Sequence, residues 1–239
     1  MGWEKHVWNI DEREERSEME AAYIAGLVRW MEAKLGEKYR TILDVPCGNG
    51  RLHPYLKKMG FEVEGIDISE ELVRDAREKG LKCWQGDMAD PKAYPDKEYD
   101  VILNWFTSFG YGGGENDEKI LKIWHDHLRK GGLLIIDTVV PSGFITDHVV
   151  SYDSKIKLFQ ERGDGKNLHI HIRIFRDLGS RMELLAEHKV DLRLYEPEEM
   201  EEMLRKAGFE VVVKLPGYCF RQWNEEAKRV IYVARKEGD

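Results

Sequence analysis

Between residues 41 and 139, short apolar segments alternate with segments of helical periodicity. The apolar segments have the length of buried strands and span residues 41–45, 61–66, 81–85, 99–104 and 133–139. The helical segments between them stop at glycines, at Gly60, at Gly80 and at the pair Gly131 and Gly132. Strands that alternate with helices form parallel sheets with right-handed crossovers. The sequence therefore predicts an α/β fold with helices on both faces of a mostly parallel sheet.

The rest of the chain has other patterns. Residues 1–40 have helical periodicity and predict an N-terminal helical cap. Residues 141–195 alternate apolar and polar side chains, most regularly at 168–175, and predict an antiparallel β subdomain inserted after the fifth strand, as a lid or substrate region. A helix after Pro197 then leads to two antiparallel strands, which complete a seven-stranded sheet. These last strands are predicted at 209–215 and 229–234.

Composition narrows the class of protein. The single domain predicted for residues 1–239 carries a formal net charge of −8 without an isolated basic block, which disfavours a nucleic-acid partner. We find neither a stretch of the roughly 20 apolar residues that span a bilayer nor an export signal, so a cytoplasmic protein without a membrane partner is expected. Charged residues make up 34% of the chain, a thermophile-like composition. Three widely spaced cysteines, Cys47, Cys83 and Cys219, predict neither disulfides nor a metal site.

The turn after the first strand has the composition of a ligand-binding loop. Gly48 and Gly50 permit a ligand to approach the backbone closely, and the following helix begins with unpaired amides. Asp67 lies 23 residues beyond Asp44, at the predicted end of the second strand. A carboxylate at this place can accept hydrogen bonds from two ribose hydroxyls. Ser69 is then a natural N-cap for the next helix.

Together these segments resemble the class I S-adenosylmethionine-dependent methyltransferases. Residues 43–51 and 65–69 look like the first two family motifs, and further likenesses stay in order to about residue 214. They are the turn at 86–88, the fourth strand at 99–104, the glycine pair in 129–134 and the strand entry at 205–209. Pro-Cys-Gly-x-Gly at 46–50 with Thr-Ser-Phe-Gly-Tyr at 107–111 resembles one branch of that family.

The resemblance implies a Rossmann-like fold and S-adenosylmethionine as cofactor. Asp87 would stand near the adenine amino group. Because Pro46 stands where the commonest motif has glycine and has no amide hydrogen, the amides of Cys47 and Gly48 are expected to bind the methionyl carboxylate. The implied cofactor-binding residues are Asp44, Pro46, Cys47, Gly48, Asn49, Gly50, Asp67, Ile68, Asp87, Met88 and Asn104.

Methyl transfer from a sulfonium is an in-line displacement with a neutral leaving group, so the protein contributes alignment and exclusion of water. No catalytic residue is predicted. The pocket candidates are Asn104, Trp105, Thr107, Tyr111, Arg193 and Tyr195, with Phe106 and Ser108 beside them. For Arg193 and Tyr195, fixing the insert against the sheet is the alternative role. His169 and His171 share a strand face, but no third ligand accompanies them and no metal site is predicted there.

The acceptor is open at this stage. We expect a nitrogen or oxygen of a small molecule, since the run Asn104–Thr107 lacks the Pro-Pro-aromatic pattern of nucleobase enzymes. The alternatives are an RNA or protein methyltransferase, a non-catalytic cofactor-binding module and an NAD-dependent dehydrogenase. The last is the weakest, because His53 stands where the dinucleotide fingerprint needs glycine. The protein is expected to be a monomer or a homodimer.

Overall fold

The computed structural model describes residues 14–141, 145–152, 155–221, 224 and 227–238. Eleven strands and five α-helices occur in these ranges, with a short 3-10 turn at Pro91–Ala93. The helices are α1 (Glu14–Leu35), α2 (His53–Lys58), α3 (Glu70–Glu78), α4 (Glu115–Asp126) and α5 (Pro197–Lys206). The strands are β1 (Thr41–Asp44), β2 (Glu62–Asp67), β3 (Lys82–Gln85), β4 (Tyr99–Asn104), β5 (Leu128–Val139), β6 (Ile145–Tyr152), β7 (Lys155–Gly163), β8 (Asn167–Asp177), β9 (Met182–Arg193), β10 (Phe209–Leu215) and β11 (Arg229–Lys236).

Seven strands form the main sheet, in the order β10-β11-β5-β4-β1-β2-β3. Strands β1 to β5 pair in parallel, and β11 runs antiparallel to both of its neighbours, β5 and β10. The predicted seven-stranded, mostly parallel α/β sheet is therefore confirmed. Strands β2 and β3 are added on one side of β1, and β4 and β5 are added on its other side, so the strand order reverses at β1. Ligands of open α/β sheets bind beyond the carboxyl ends of the strands at such a point.

Each face of the sheet carries its own apolar core. On one face, Leu27 and Met31 of α1 pack with Ile42 and Val101 of the central strands. The opposite face packs α4 and α5 against the sheet, with Trp124 as the largest fully buried side chain. Burial on both faces explains why the central strands are continuous apolar segments and do not alternate.

One predicted boundary is wrong. The helix α4 ends at Asp126, five residues before the glycine pair at which the sequence placed its end, and Leu128 to Gly132 belong to β5. Leu128 pairs with Tyr99, and the pairing then shifts register before Val101 meets Leu133. Gly131 takes a φ of 75° in this irregular stretch of pairing, so the glycine serves the strand and not the end of the helix.

Strands β6 to β9, which follow β5 and precede α5 along the chain, form a second, four-stranded antiparallel sheet. The predicted alternation holds along β8, where Leu168, Ile170, Ile172 and Ile174 are buried and face a small apolar core. The inserted antiparallel β element is therefore confirmed as part of the fold. Residues 1–13 of the predicted N-terminal cap lie outside the described residues. Within the ranges that are described, the helices are all too short or too polar to cross a membrane.

Candidate active site

The loop after β1 uses its own amides to fold back over β2. Cys47 N donates to Ile66 O at 2.9 Å, and Gly48 N donates to Asp67 Oδ2 at 2.8 Å. The two amides that were expected to bind a ligand carboxylate are thus hydrogen-bonded within the protein in this structure. Pro46 contributes no amide hydrogen, so the loop holds its position through the two donors that follow it.

Asp67 connects this loop with the start of α3. Its second carboxylate oxygen, Oδ1, accepts from Ser69 N at 2.9 Å, while Ser69 Oγ accepts from Leu72 N at 3.4 Å as the predicted N-cap. Asp67 is 7% exposed and lies at the wall of a cavity. An ionised carboxylate offers about four acceptor positions.

A cavity of about 520 Å³ opens at the carboxyl ends of β1, β2 and β4. Its volume falls in the range of small-molecule sites. Thirteen of the residues predicted from sequence line it: Asp44, Pro46, Cys47, Gly48, Asn49, Asp67, Ile68, Asp87, Met88, Trp105, Phe106, Ser108 and Tyr111. Five others are absent from the lining: Gly50, Asn104, Thr107, Arg193 and Tyr195.

Gly50 and Asn104 do not line the cavity, but each packs against the structure around the loop after β1. Gly50 has a φ of +72°, and a Cβ there would lie 2.5 Å from Leu81 Cδ1, so close packing requires glycine. Asn104 is fully buried and donates from Nδ2 to Val45 O at 2.7 Å, which joins the end of β4 to the loop after β1.

Arg193 and Tyr195 attach the glycine-rich segment at 110–114 to the rest of the protein. Arg193 N donates to Gly110 O at 3.0 Å, and its guanidinium pairs with Glu199 at 2.9 Å. The Tyr195 hydroxyl donates to Asp117 Oδ2 at 2.5 Å and accepts from Gly114 N at 3.1 Å. These contacts join Arg193 and Tyr195 to the loop after β4, to α4 and to α5, and not to a strand of the main sheet.

The chain turns sharply where it leaves β4. Phe106 and Thr107 both have left-handed backbone angles, with φ of 65° and 57°. Such angles cost non-glycine residues roughly 1–2 kcal/mol each. Asp137 offsets this conformational cost through two hydrogen bonds. Its Oδ2 accepts from Phe106 N at 2.9 Å, and its backbone carbonyl accepts from Thr107 N at 2.9 Å. Arg229 and the Tyr218 hydroxyl also bind this buried carboxylate. The turn directs Phe106 and Ser108 into the cavity wall beside Trp105.

The cavity lining also contains residues that were not predicted to bind a ligand. Arg51 directly follows the glycine turn, and its Nη2 lies 2.5 Å from Glu20 Oε2 of α1. Glu20 also accepts from Trp105 Nε1 at 3.1 Å. Arg51 is the last residue of the first motif, and that position is the one signal that the sequence offers for it. The remaining such residues include Leu52, Leu72, Asn116 and Ile120.

Two features fit a nucleoside-type ligand that carries an amino-acid end. Asn49 is buried in the lining, and its Nδ2 has no hydrogen-bond partner among the described residues. Apolar side chains of Ile68 and Met88 stand beside the Asp67 carboxylate. Tyr111 completes this wall, and burial together with the charge of Asp67 raises the pKa of its hydroxyl to about 12, so it stays protonated near neutral pH.

Comparison with known proteins decides the enzyme class. Residues 42–132 match the sequence model of a methyltransferase domain. YqeM of Bacillus subtilis (strain 168), a protein named for methyltransferase activity, is 27% identical over 224 residues, which cover 87% of this chain and 88% of YqeM. The chain is an S-adenosylmethionine-dependent methyltransferase. Its cofactor is S-adenosylmethionine.

Other relatives of this methyltransferase act on small molecules according to their names. The trans-aconitate 2-methyltransferase of Mycobacterium tuberculosis is 30% identical over 115 residues, 46% of this chain and 40% of that protein. A dTDP-3-amino-3,4,6-trideoxy-alpha-D-glucopyranose N,N-dimethyltransferase of Streptomyces venezuelae is 24% identical over 168 residues, 65% of this chain and 68% of that protein.

Solved structures share the fold of this methyltransferase. A methyltransferase from Clostridium acetobutylicum superposes with a TM-score of 0.80 at 18% identity, covering 98% of this chain and 99% of the other. The SAM-bound amino pentose methyltransferase CalS10 from Micromonospora echinaspora superposes with a TM-score of 0.76 at 19% identity, covering 96% of each chain.

The histidines of the insert lie among carboxylates. His169 Nδ1 lies 2.7 Å from Asp191 Oδ1 and its Nε2 lies 3.3 Å from Asp164 Oδ2, while His171 Nε2 lies 2.7 Å from Glu187 Oε1. Hydrogen bonds to Asp191 and Asp164 raise the pKa of His169. With both ring nitrogens engaged by carboxylates, His169 is arranged as a cation in an exposed ion pair.

Proposed function

We propose that this methyltransferase transfers the methyl group to a nitrogen or oxygen atom of a small molecule. The observation that carries the proposal is the bounded cavity of about 520 Å³, whose wall runs from the Asp67 carboxylate to the aromatic turn after β4. A site of this volume suits compact ligands and not a polymer strand. The names of the mycobacterial and Streptomyces relatives, which specify a small acid and an amino sugar, support the same acceptor class.

In this proposal the two ends of the cavity have different roles. Asp67 would accept the ribose hydroxyls, and Asn49 Nδ2 would donate to the amino-acid end, since that donor has no protein partner among the described residues. Ile68 and Met88 would flank the adenine beside Asp87, whose Oδ1 already accepts from Ala89 N at 2.8 Å. The acceptor would then lie toward Trp105 and the segment at 106–112.

The bound cofactor supplies an electrophilic methyl group on a positively charged sulfur. Because the sulfur leaves as a neutral thioether, no residue of the chain needs to protonate it. The chain would align the acceptor and exclude water. Trp105, Phe106 and Tyr111 present aromatic rings to the cavity, and such rings favour a nearby cation.

We further propose that the insert at 141–195 closes the acceptor side of the site. Support comes from the backbone pairing of Arg193 with Gly110 and from the Tyr195 bond to Gly114, which tie the insert to the glycine-rich segment. That segment includes Tyr111 and Gly112, which both line the cavity.

The test is a comparison of acceptor classes with one labelled cofactor. Purified protein is incubated with methyl-labelled S-adenosylmethionine and, separately, with nucleotide-linked amino sugars, free amines, small di- and tricarboxylic acids, total RNA and denatured protein extract. We expect label in a small-molecule fraction, and mass spectrometry of the product then identifies the methylated atom. Label that enters only RNA or protein would refute the acceptor class while leaving the enzyme class intact.

A further inference from the structure

Three buried side chains lie together beneath the loop that follows β1, and the proposed cofactor contacts do not use their functional groups. They are Cys47, His53 and Cys83, and one ligand atom from each lies within 4.8 Å of the other two. The three residues are 6%, 0% and 3% exposed. Both cysteines also pack in an apolar cluster with Val73 and Leu81, which shields them from bulk water.

The sheet register builds this cluster. Asp44 of β1 pairs with Gly65 of β2, and Gly65 pairs with Cys83 of β3, so the three positions form one row across the sheet. Residues paired in this way direct their side chains to the same face. Gly65 has no side chain, and the gap is filled by Cys47 and His53. A Cβ on Gly65 would lie 2.5 Å from Cys47 Cβ and 2.9 Å from His53 Cε1.

The imidazole of His53 bridges the two ends of the row. Its Nε2 lies 3.2 Å from Asp44 Oδ2, and its Nδ1 lies 3.9 Å from Cys83 Sγ. When Nε2 carries the proton and donates to the carboxylate, the lone pair of Nδ1 is directed toward the thiols. Histidines that bind metals are commonly held in this way, with a carboxylate on the nitrogen away from the ion.

We propose that Cys47 Sγ, Cys83 Sγ and His53 Nδ1 form a binding site for Zn²⁺, with Asp44 orienting the histidine. Tetrahedral zinc binds sulfur at about 2.3 Å and nitrogen at about 2.0 Å, which separates neighbouring ligand atoms by roughly 3.5–3.8 Å. The 3.9 Å spacing of His53 and Cys83 therefore needs little closure. Two thiolates with one imidazole form a soft ligand set that disfavours Mg²⁺ and Ca²⁺.

Binding releases the two thiol protons to solvent and forms two sulfur–zinc bonds and one nitrogen–zinc bond, without any change of oxidation state. The fourth zinc position is left for water, as in other sites with three protein ligands. The ion would join the loop after β1, the start of α2 and β3. Because Cys47 also lines the cofactor cavity, the ion would stiffen the cavity floor.

The experiment titrates metal into the full-length protein. The chain is stripped with a chelator, kept reduced under inert gas with a non-thiol reductant, and titrated with Co²⁺ and then Zn²⁺. We expect one equivalent of Co²⁺ to give a thiolate-to-cobalt charge-transfer band in the near ultraviolet, and Zn²⁺ to abolish that band. Bound Zn²⁺ should also protect Cys47 and Cys83 from alkylation, which peptide mass spectrometry measures.

Three variants locate the site. Cys83→Ser and Cys47→Ser should weaken Zn²⁺ binding by at least about a hundredfold, since loss of even an outer-shell partner costs about 10–100-fold. Cys219→Ser is the matched control and should bind like the wild type, because Cys219 lies outside the cluster. Circular dichroism and thermal unfolding check that each variant is folded.

The proposal is overturned if the wild type shows no charge-transfer band, if the band depends on Cys219, or if Zn²⁺ leaves the alkylation rates of Cys47 and Cys83 unchanged. Facile oxidation of these two thiols to a disulfide at the same rate with and without Zn²⁺ would also overturn it, and would mark the cluster as a redox pair. The wild-type measurements decide the question even where a variant fails to fold.

Discussion

Replacing Asp67 should affect the fold and the cofactor site by amounts that can be measured separately. Its two oxygens accept from Gly48 N at 2.8 Å and Ser69 N at 2.9 Å. Asp67→Asn keeps the shape of the side chain but presents one oxygen and one amino group, so one of the two amides faces another donor. A lost hydrogen bond to a charged group costs about 1.5–3 kcal/mol. We therefore expect the free energy of unfolding to fall by about 2 kcal/mol, a decrease of about 4–8 °C in Tm for a chain of this size.

The effect on ligand affinity follows from the proposed ribose contact of Asp67. The substituted side chain has lost the charge and one acceptor, so at least one charged hydrogen bond to a ribose hydroxyl disappears. A loss of about 1.5–3 kcal/mol weakens binding roughly 10- to 150-fold. Calorimetric titration with S-adenosylmethionine and with its demethylated product, well below the Tm of the variant, measures this change.

A matched variant and a ligand analogue complete the test of Asp67. Glu70→Gln removes a charge from the exposed first turn of α3 without contact to the cavity, and should bind like the wild type. A product analogue that lacks one ribose hydroxyl should bind the wild type more weakly, whereas Asp67→Asn should discriminate far less against it, because the two changes remove the same interaction. Equal discrimination by both proteins, or unchanged affinity in the variant, would refute the ribose contact.

Three further predictions concern other parts of the structure. Asn49→Ala should weaken S-adenosylmethionine binding about tenfold in calorimetric titration with little change in Tm, because Nδ2 has no partner among the described residues and a bond to a charged group is worth about 1.5–3 kcal/mol. Tyr195→Phe should lower Tm by about 2–8 °C in differential scanning calorimetry, since it leaves the buried Asp117 carboxylate without its 2.5 Å donor; an unchanged Tm would contradict this role. Burial raises the pKa of Asp100, but the hydrogen bond from Arg129 and those from neighbouring amides lower it by more. The folded-state pKa is thus depressed, so the stabilisation by Asp100 is present above the unfolded pKa of about 3.9 and lost as pH falls through the folded-state pKa. In urea unfolding, the deficit of Asp100→Asn against the wild type should shrink between neutral pH and strongly acidic pH, and a constant deficit would contradict the linkage.

The fold could be predicted because its information is local. Each central strand is a short apolar segment, each helix has its own periodicity, and the two alternate, which restricts the topology to a parallel sheet. The wrong boundary has a physical cause. Gly131 can stop a helix or occupy an irregular position in a strand, and the choice depends on the pairing of Leu128 with Tyr99, which are far apart in the chain.

The site was harder to predict than the fold. The carboxyl ends of β1, β2 and β4 indicated the right region, but not which side chains face the cavity. Asn104 and Trp105 are adjacent, but Asn104 is the last residue of β4 and Trp105 lies in the turn that follows. Trp105 lines the cavity, whereas Asn104 is fully buried beneath the loop. A motif gives the position of a residue, and the direction of its side chain depends on backbone angles such as those of Phe106.

The Cys47, His53 and Cys83 cluster shows the same limit most clearly. In the sequence, Cys83 lies 36 positions after Cys47, a spacing that differs from the short C-x2-C pairs by which zinc sites are recognised in sequences. They meet because Gly65 stands between Asp44 and Cys83 in the sheet register and leaves a space that a side chain would occupy. The residue that allows the three side chains to meet is thus Gly65, which has no side chain. A metal site whose ligands come from different strands can therefore be proposed only when the strand register is known. Here the register shows that the space beside Gly65 is where Cys47, His53 and Cys83 come together.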